Sequence, residues 1–113
     1  MPSNDPARIL QTMIHTIVPA RRFVEDMSYE AFAGDDRTLY AVTRCLEIVS
    51  EASRRLPPQM KARYLDVPWE RIAGAGNVYR HDYEDVLPSI LWNTVLSHLD
   101  RLEQAVRNEI DRN

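Results

Sequence analysis

Leu91-Trp92-Asn93-Thr94-Val95-Leu96-Ser97-His98-Leu99-Asp100-Arg101-Leu102-Glu103-Gln104-Ala105-Val106 is the stretch that decides the fold. Leu91, Val95, Leu99, Leu102 and Val106 recur at three- and four-residue steps, the spacing of one face of an α-helix. Upstream, Leu39, Val42, Leu46, Val49, Ser53 and Leu56 repeat that spacing until Pro57-Pro58 ends it. Nearer the N-terminus Ile9, Leu10, Met13, Ile14, Ile17, Val24 and Met27 form a third stripe. Pro19 interrupts it but the phase resumes, which predicts a kink rather than a stop. No run of apolar–polar alternation predicts a strand.

Punctuation residues place the shorter elements. Asp5-Pro6 reads as an N-cap followed by a proline at the first helical position. Ser28 and the Asp35-Asp36 pair can each cap the segment after them, with a short turn around Tyr29 to Phe32 between them. Residues 59–67 have room for one helical turn. Pro68 can open a further helix marked by Trp69, Ile72 and Tyr79, and Leu87-Pro88-Ser89 is the break before the last one. The expectation is a single all-α domain over residues 1–113. It is a small antiparallel helical bundle of about four to five helices, three of them long and amphipathic.

Composition narrows the function. The 113 residues suit one core, and 44% apolar with 27% charged residues is the make-up of an ordinary globule. Seventeen acidic residues oppose fourteen basic ones, a net charge of -3 that argues against indiscriminate binding to DNA or anionic membranes. Thirteen of the cations are arginine and one, Lys61, is lysine. The lone Cys45 excludes an internal disulfide and a cysteine-rich metal site, and its place on an apolar helix side reads as an inert buried thiol. Met1-Pro2-Ser3-Asn4-Asp5 has no signal-peptide character and no segment is long and apolar enough to span a membrane, so a cytoplasmic location is expected.

Chemistry concentrates between Asn77 and Tyr83. On a helix Asn77 and His81 lie four apart and share a face, so the amide can orient the imidazole. Histidine exchanges a proton near neutral pH, and the adjacent Arg80 can grip a phosphate with two N–H groups. That set suits phosphodiester cleavage without a metal. On the residues alone a structural role for His81 stays open, as does a simple anchoring role for Tyr83. His15 and His98 read as surface or satisfied interior histidines. Glu51 reads as a solvated glutamate that could face the motif. Arg54, Arg55, Lys61 and Arg63 read as a solvated helix end. No carboxylate–histidine cluster has metal-ligand spacing and no glycine loop suits a phosphate. No cofactor is expected.

Several stretches together carry a resemblance to a known family. They are Arg8 to Phe23, Met27-Ser28-Tyr29-Glu30-Ala31-Phe32, the run from Ala41 to Ala52, Val67-Pro68-Trp69-Glu70-Arg71-Ile72-Ala73-Gly74, and Asn77 to Tyr83, with Trp92 beyond them. In order and spacing the chain resembles the HEPN-domain toxins of prokaryotic MNT/HEPN toxin–antitoxin pairs, the HepT-like family. That family's motif is an arginine and asparagine followed by His-x-Tyr, matched here by Asn77, His81 and Tyr83. Gly76 occupies the arginine's place. Arg80 leaves the helix about 100° from His81, and Arg71 lies further up the same helix as a weaker substitute.

The resemblance implies a metal-independent endoribonuclease of a type VII-like toxin–antitoxin pair, working as a homodimer whose two motif helices meet at an RNA cleft. It implies His81 as the proton-transfer group, Asn77 as its orienter and Arg80 as the phosphate contact. Tyr83 would be the site of AMP transfer by an MNT-type nucleotidyltransferase antitoxin, a bulky anionic block on the RNA groove. Gly76 keeps a second expectation open: a catalytically inactive HEPN bundle acting as a partner-binding or RNA-binding subunit. In that case the helical glycine, which costs about 1 kcal/mol against alanine, is expected to serve close helix approach at the dimer seam. A purely structural helical oligomer is the third reading.

Overall fold

The computed structural model describes residues 4–81 and 88–112, and the side chains of residues 78–81 lie outside that description. Among the described residues every regular element is helical. Helix α1 spans Pro6–Phe23. Its N-terminus is built as the sequence predicts, with Pro6 at the first position and Asp5 Oδ1 accepting the Ala7 N–H at 3.1 Å. Pro19 lies inside α1 without ending it. Arg21 and Arg22 fall in the last turn, where cations complement the exposed carbonyls.

The chain then reverses through Asp26, whose φ of 66° is a left-handed conformation that aspartate tolerates better than most side chains. Ser28 caps α2, Tyr29–Ala33, by accepting the Ala31 N–H at its Oγ at 3.1 Å. The predicted turn at Tyr29–Phe32 is thus a short helix, and it delivers Phe32 into the core with its ring 5.1 Å from that of Trp92. Helix α3, Asp36–Arg54, begins three residues before its first apolar marker, Leu39. Asp35 takes the cap position but accepts from the Thr38 hydroxyl, at 2.6 Å, rather than from a backbone N–H. Helix α4, Pro58–Lys61, is the single turn foreseen between Gln59 and Val67.

Helix α5 covers Trp69–His81 and α6 covers Pro88–Asn93. A π-helical turn, Thr94–His98, then passes into α7, Leu99–Arg112. The sequence reading makes one regular helix of this last stretch. The wider turn is the difference, and all five apolar markers from Leu91 to Val106 remain buried across it. The core is a continuous cluster in which α1 lies against α3 and α7, and α3 against α5. Cys45 is half-buried at the margin of that core, and burial pushes its thiol above the ordinary cysteine range.

A polar clamp sets where α5 begins. The Glu109 carboxylate on α7 is 2% exposed, and both its oxygens accept from Arg63 at 2.8 Å. Tyr64 donates its hydroxyl to Glu109 at 2.9 Å and accepts from Asn108. The Arg63 guanidinium holds the Glu109 carboxyl below the usual carboxylate range. Trp69 Nε1 donates to the carbonyls of Lys61 and Tyr64, tying the first residue of α5 to the same segment. Arg63 is therefore a buried-carboxylate clamp, not part of a solvated basic helix end.

Candidate functional site

At Gly76 α5 comes into close contact with α3. Its N–H donates to Ser50 Oγ at 2.9 Å, and that hydroxyl donates in turn to the Ala73 carbonyl at 3.0 Å. Arg54 Nε donates to the same carbonyl at 2.9 Å. A Cβ at position 76 would lie 2.5 Å from Ser50 Oγ and 2.8 Å from Ser50 Cβ, inside van der Waals contact. The glycine is thus required by the intrachain seam between α3 and α5. The close helix approach expected of this glycine is found within the chain, between α5 and α3. It also explains why no arginine stands there: with Ser50 in place, any side chain at 76 collides before it can leave the seam.

One residue further on, Asn77 is exposed. Helix α5 continues without a break to His81, so positions 77 and 81 are one turn apart, as the sequence predicts. The side chains of Arg80 and His81 lie outside the described residues, and so does the whole of Tyr83. Gly76 is buried where Asn77 is exposed, so the seam and the open face of α5 are set by adjacent residues. Arg71 is exposed near the start of the helix, nearly three turns from His81.

The open face of α3 beside this seam is charged. Arg44 pairs with Glu47 at 3.3 Å, and Glu51 lies 3.9 Å from Arg54. Glu51 is accordingly exposed and paired on its own helix. Exposed pairs of this kind contribute little to stability and are readily exchanged for other partners. His15 and His98 are both exposed, in keeping with the bland reading of each. Among the described residues no group of three His, Cys, Asp or Glu side chains is placed to hold a metal, and no helix is long and apolar enough to cross a membrane.

On the far side of α5 from Asn77, a cavity of about 450 Å³ lies between α3, α5, α6 and α7. Leu46, Val49, Ile72, Ala75 and Leu99 make its walls apolar, and Arg71 and His98 contribute polar groups. The sequence gives no sign of it, because its walls come from four segments. The π-helical turn forms part of its border through Thr94 and His98.

Comparison with known proteins points the same way. The family model described as ribonuclease HepT-like matches residues 13–109. A candidate RNase of Caldanaerobacter subterraneus subsp. tengcongensis is 34% identical over 89 residues, 79% of this chain and 80% of that protein. A candidate ribonuclease HepT of Thermococcus cleftensis is 31% identical, over 83% of this chain and 86% of the relative. A candidate RNase of Methanocaldococcus jannaschii is 28% identical, over 92% and 90%. No solved structure gives a significant match.

Proposed function

The chain belongs to the ribonuclease HepT-like family, and on that footing we propose that it is a metal-independent endoribonuclease acting as a homodimer. One observation supports the reading most directly: α5 carries Asn77 on an open face and continues unbroken to His81. In this mechanism the RNA 2′-hydroxyl attacks its own phosphorus. The P–O2′ bond forms, the P–O5′ bond breaks, and the product ends in a 2′,3′-cyclic phosphate. His81 moves the proton from the 2′-oxygen towards the leaving 5′-oxygen, Asn77 orients the ring, and Arg80 stabilises charge on the phosphate oxygens. Control comes from an MNT-type nucleotidyltransferase antitoxin that transfers AMP to Tyr83, adding bulk and negative charge that repel RNA.

RNA cleavage in excess chelator tests this. The parent should release cyclic-phosphate ends, and His81→Ala should slow cleavage by about 10²–10⁴-fold, the usual worth of a positioned proton-transfer group. Cleavage by His81→Ala at the parental rate refutes the assignment.

The glycine standing at position 76 in place of the family's motif arginine favours a second reading, in which the bundle is an inactive partner-binding or RNA-binding subunit. Binding of the nucleotidyltransferase by a folded, unmodified parent that leaves RNA intact under all conditions would select it.

A further inference from the structure

Positions 37, 40, 44, 47, 51 and 54 recur at alternating steps of three and four, so Arg37, Tyr40, Arg44, Glu47, Glu51 and Arg54 form one stripe along α3. Arg37, Tyr40, Arg44, Glu51 and Arg54 are exposed and Glu47 is half-buried. The bond from Arg54 to the Ala73 carbonyl shows that this stripe borders α5. Gly76 lies against Ser50 and the Glu47 carbonyl while Ala73 lies level with Ser50 and Arg54, so the two helices run antiparallel. Residue 81 is about 7.5 Å further along α5 than Gly76, at 1.5 Å per residue. The same distance toward the N-terminus of α3, measured from the Glu47–Ser50 level, reaches Arg44. Tyr40 is the next turn beyond.

The stripe divides by charge. Its half beside the C-terminal end of α5 carries Arg37, Tyr40 and Arg44, and the other half carries Glu47, Glu51 and Arg54. The Arg44 side chain is 69% exposed and, among the described residues, pairs only with the half-buried Glu47, and Tyr40 is 58% exposed. A guanidinium can take a phosphate two-pronged in place of such a partner. An exposed tyrosine ring offers a platform on which an unpaired base stacks.

We propose that Arg37, Tyr40 and Arg44 form the surface of α3 that holds single-stranded RNA beside the end of α5, with Arg44 supplying a phosphate-binding cation that α5 lacks at position 76. The proposal rests on the ribonuclease reading for its substrate class. Arg44 grips the phosphate next to the one that is cut, and Tyr40 stacks the neighbouring base. The Glu47–Glu51 half repels the backbone and confines the strand to the His81 end.

A fluorescein-labelled, single-stranded 2′-O-methyl oligonucleotide lacks the attacking hydroxyl, so its binding to the full-length protein is read without cleavage. Arg44→Ala should weaken binding and reduce the salt slope by about 0.7, the contribution of one phosphate contact on a single strand. Tyr40→Ala should weaken it by about 5- to 150-fold, the loss of one stacked base, and Tyr40→Phe should bind as the parent does. Arg107→Ala, on α7 and paired with Glu103, should change nothing. Parental binding by both Arg44→Ala and Tyr40→Ala overturns the proposal, as does absence of binding by the parent or an equal loss in Arg107→Ala. The two readings fail separately. Parental cleavage rates in Arg44→Ala and Tyr40→Ala sink this surface and leave the ribonuclease. Loss of binding in both variants, with natural RNA left intact by the parent, sinks the ribonuclease and supports the surface.

Discussion

Gly76→Ala isolates the α3–α5 seam. The new Cβ meets Ser50 Oγ at 2.5 Å and Ser50 Cβ at 2.8 Å. Rotating the hydroxyl away relieves the first contact only, and Ser50 is 2% exposed, so its other rotamers enter packed space. The helices must therefore separate, at about 1–3 kcal/mol for overpacking. Separation also weakens the Gly76 N–H and Ala73 carbonyl bonds to Ser50 Oγ, worth about 1 kcal/mol. Alanine returns about 1 kcal/mol of helix propensity. The balance is a destabilisation of about 1–3 kcal/mol.

Ser50→Gly removes both colliding atoms, since the remaining neighbour, the Glu47 carbonyl, sits at an ordinary 3.8 Å. In that background Gly76→Ala should be neutral, or stabilising by up to about 1 kcal/mol. Urea unfolding of the four proteins at one fixed protomer concentration gives the coupling, and the fixed concentration removes any contribution from self-association. A coupling of at least about 1 kcal/mol is expected. Additive effects within about 0.5 kcal/mol, or stabilisation by Gly76→Ala alone, would refute the account of the seam.

The same logic predicts that Gly76→Arg destabilises the parent but is tolerated with Ser50→Gly, where it should raise RNA cleavage in chelator by about 10-fold or more by adding a transition-state cation; an unchanged rate in a folded double variant would count against an arginine role at position 76. Glu109→Gln should lower stability at pH 7 by about 1.5–3 kcal/mol through loss of charge-assisted bonds from Arg63 and Tyr64. Because the folded carboxyl is held below the usual range, its contribution is present above the unfolded pKa of about 4.3 and lost as pH falls through the lower folded value. Parent and variant should therefore converge in stability as pH falls below the unfolded carboxyl range in urea melts, and a constant gap from pH 7 downwards would show that Glu109 is not ionised in the fold. Phe32→Ala should cost about 3–5 kcal/mol and alter Trp92 fluorescence, since the rings lie 5.1 Å apart; a loss below about 1 kcal/mol would mean α2 is not part of the core.

The helices were legible because each buries a continuous face, and a face is written in local spacing. Ile9 to Val24, Val42 to Leu56 and Leu91 to Val106 needed nothing beyond their own periodicity. What the spacing could not convey is pairing across the chain. Ser50 and Gly76 are separated by 26 positions and explain each other only once α3 and α5 are side by side. Arg63 read by itself as part of a solvated helix end, and only with Glu109, 46 positions on, does it form a buried clamp. The consecutive four-residue steps from Leu91 to Val95 to Leu99 were the one local trace of the π-helical turn, and a regular helix with a broad apolar face absorbs them equally well. Of the candidate site, the helical course of α5 from position 77 to 81 was legible. The side chains of Arg80 and His81, and the whole of Tyr83, fall outside the described residues, so their part in the site rests on the sequence.

The glycine at position 76 is read most simply as a loss, and the seam argues otherwise. A ribonuclease that works without a metal needs positive charge where the phosphate gathers electrons, but the charge does not have to arise from one helix. With Gly76 the serine hydroxyl bonds into the backbone of α5 and draws α3 close, so groups on α3 come level with the last turn of α5. A bulky residue at 76 would hold α3 off and would have to carry the cation itself. Arginine on one helix and close approach of the neighbouring helix are thus alternatives, because the seam has room for one of them. On the proposed reading this chain has taken the second, and the task of meeting the phosphate passes to Arg44 on α3, beside the seam, together with Arg80, the contact that the family resemblance implies.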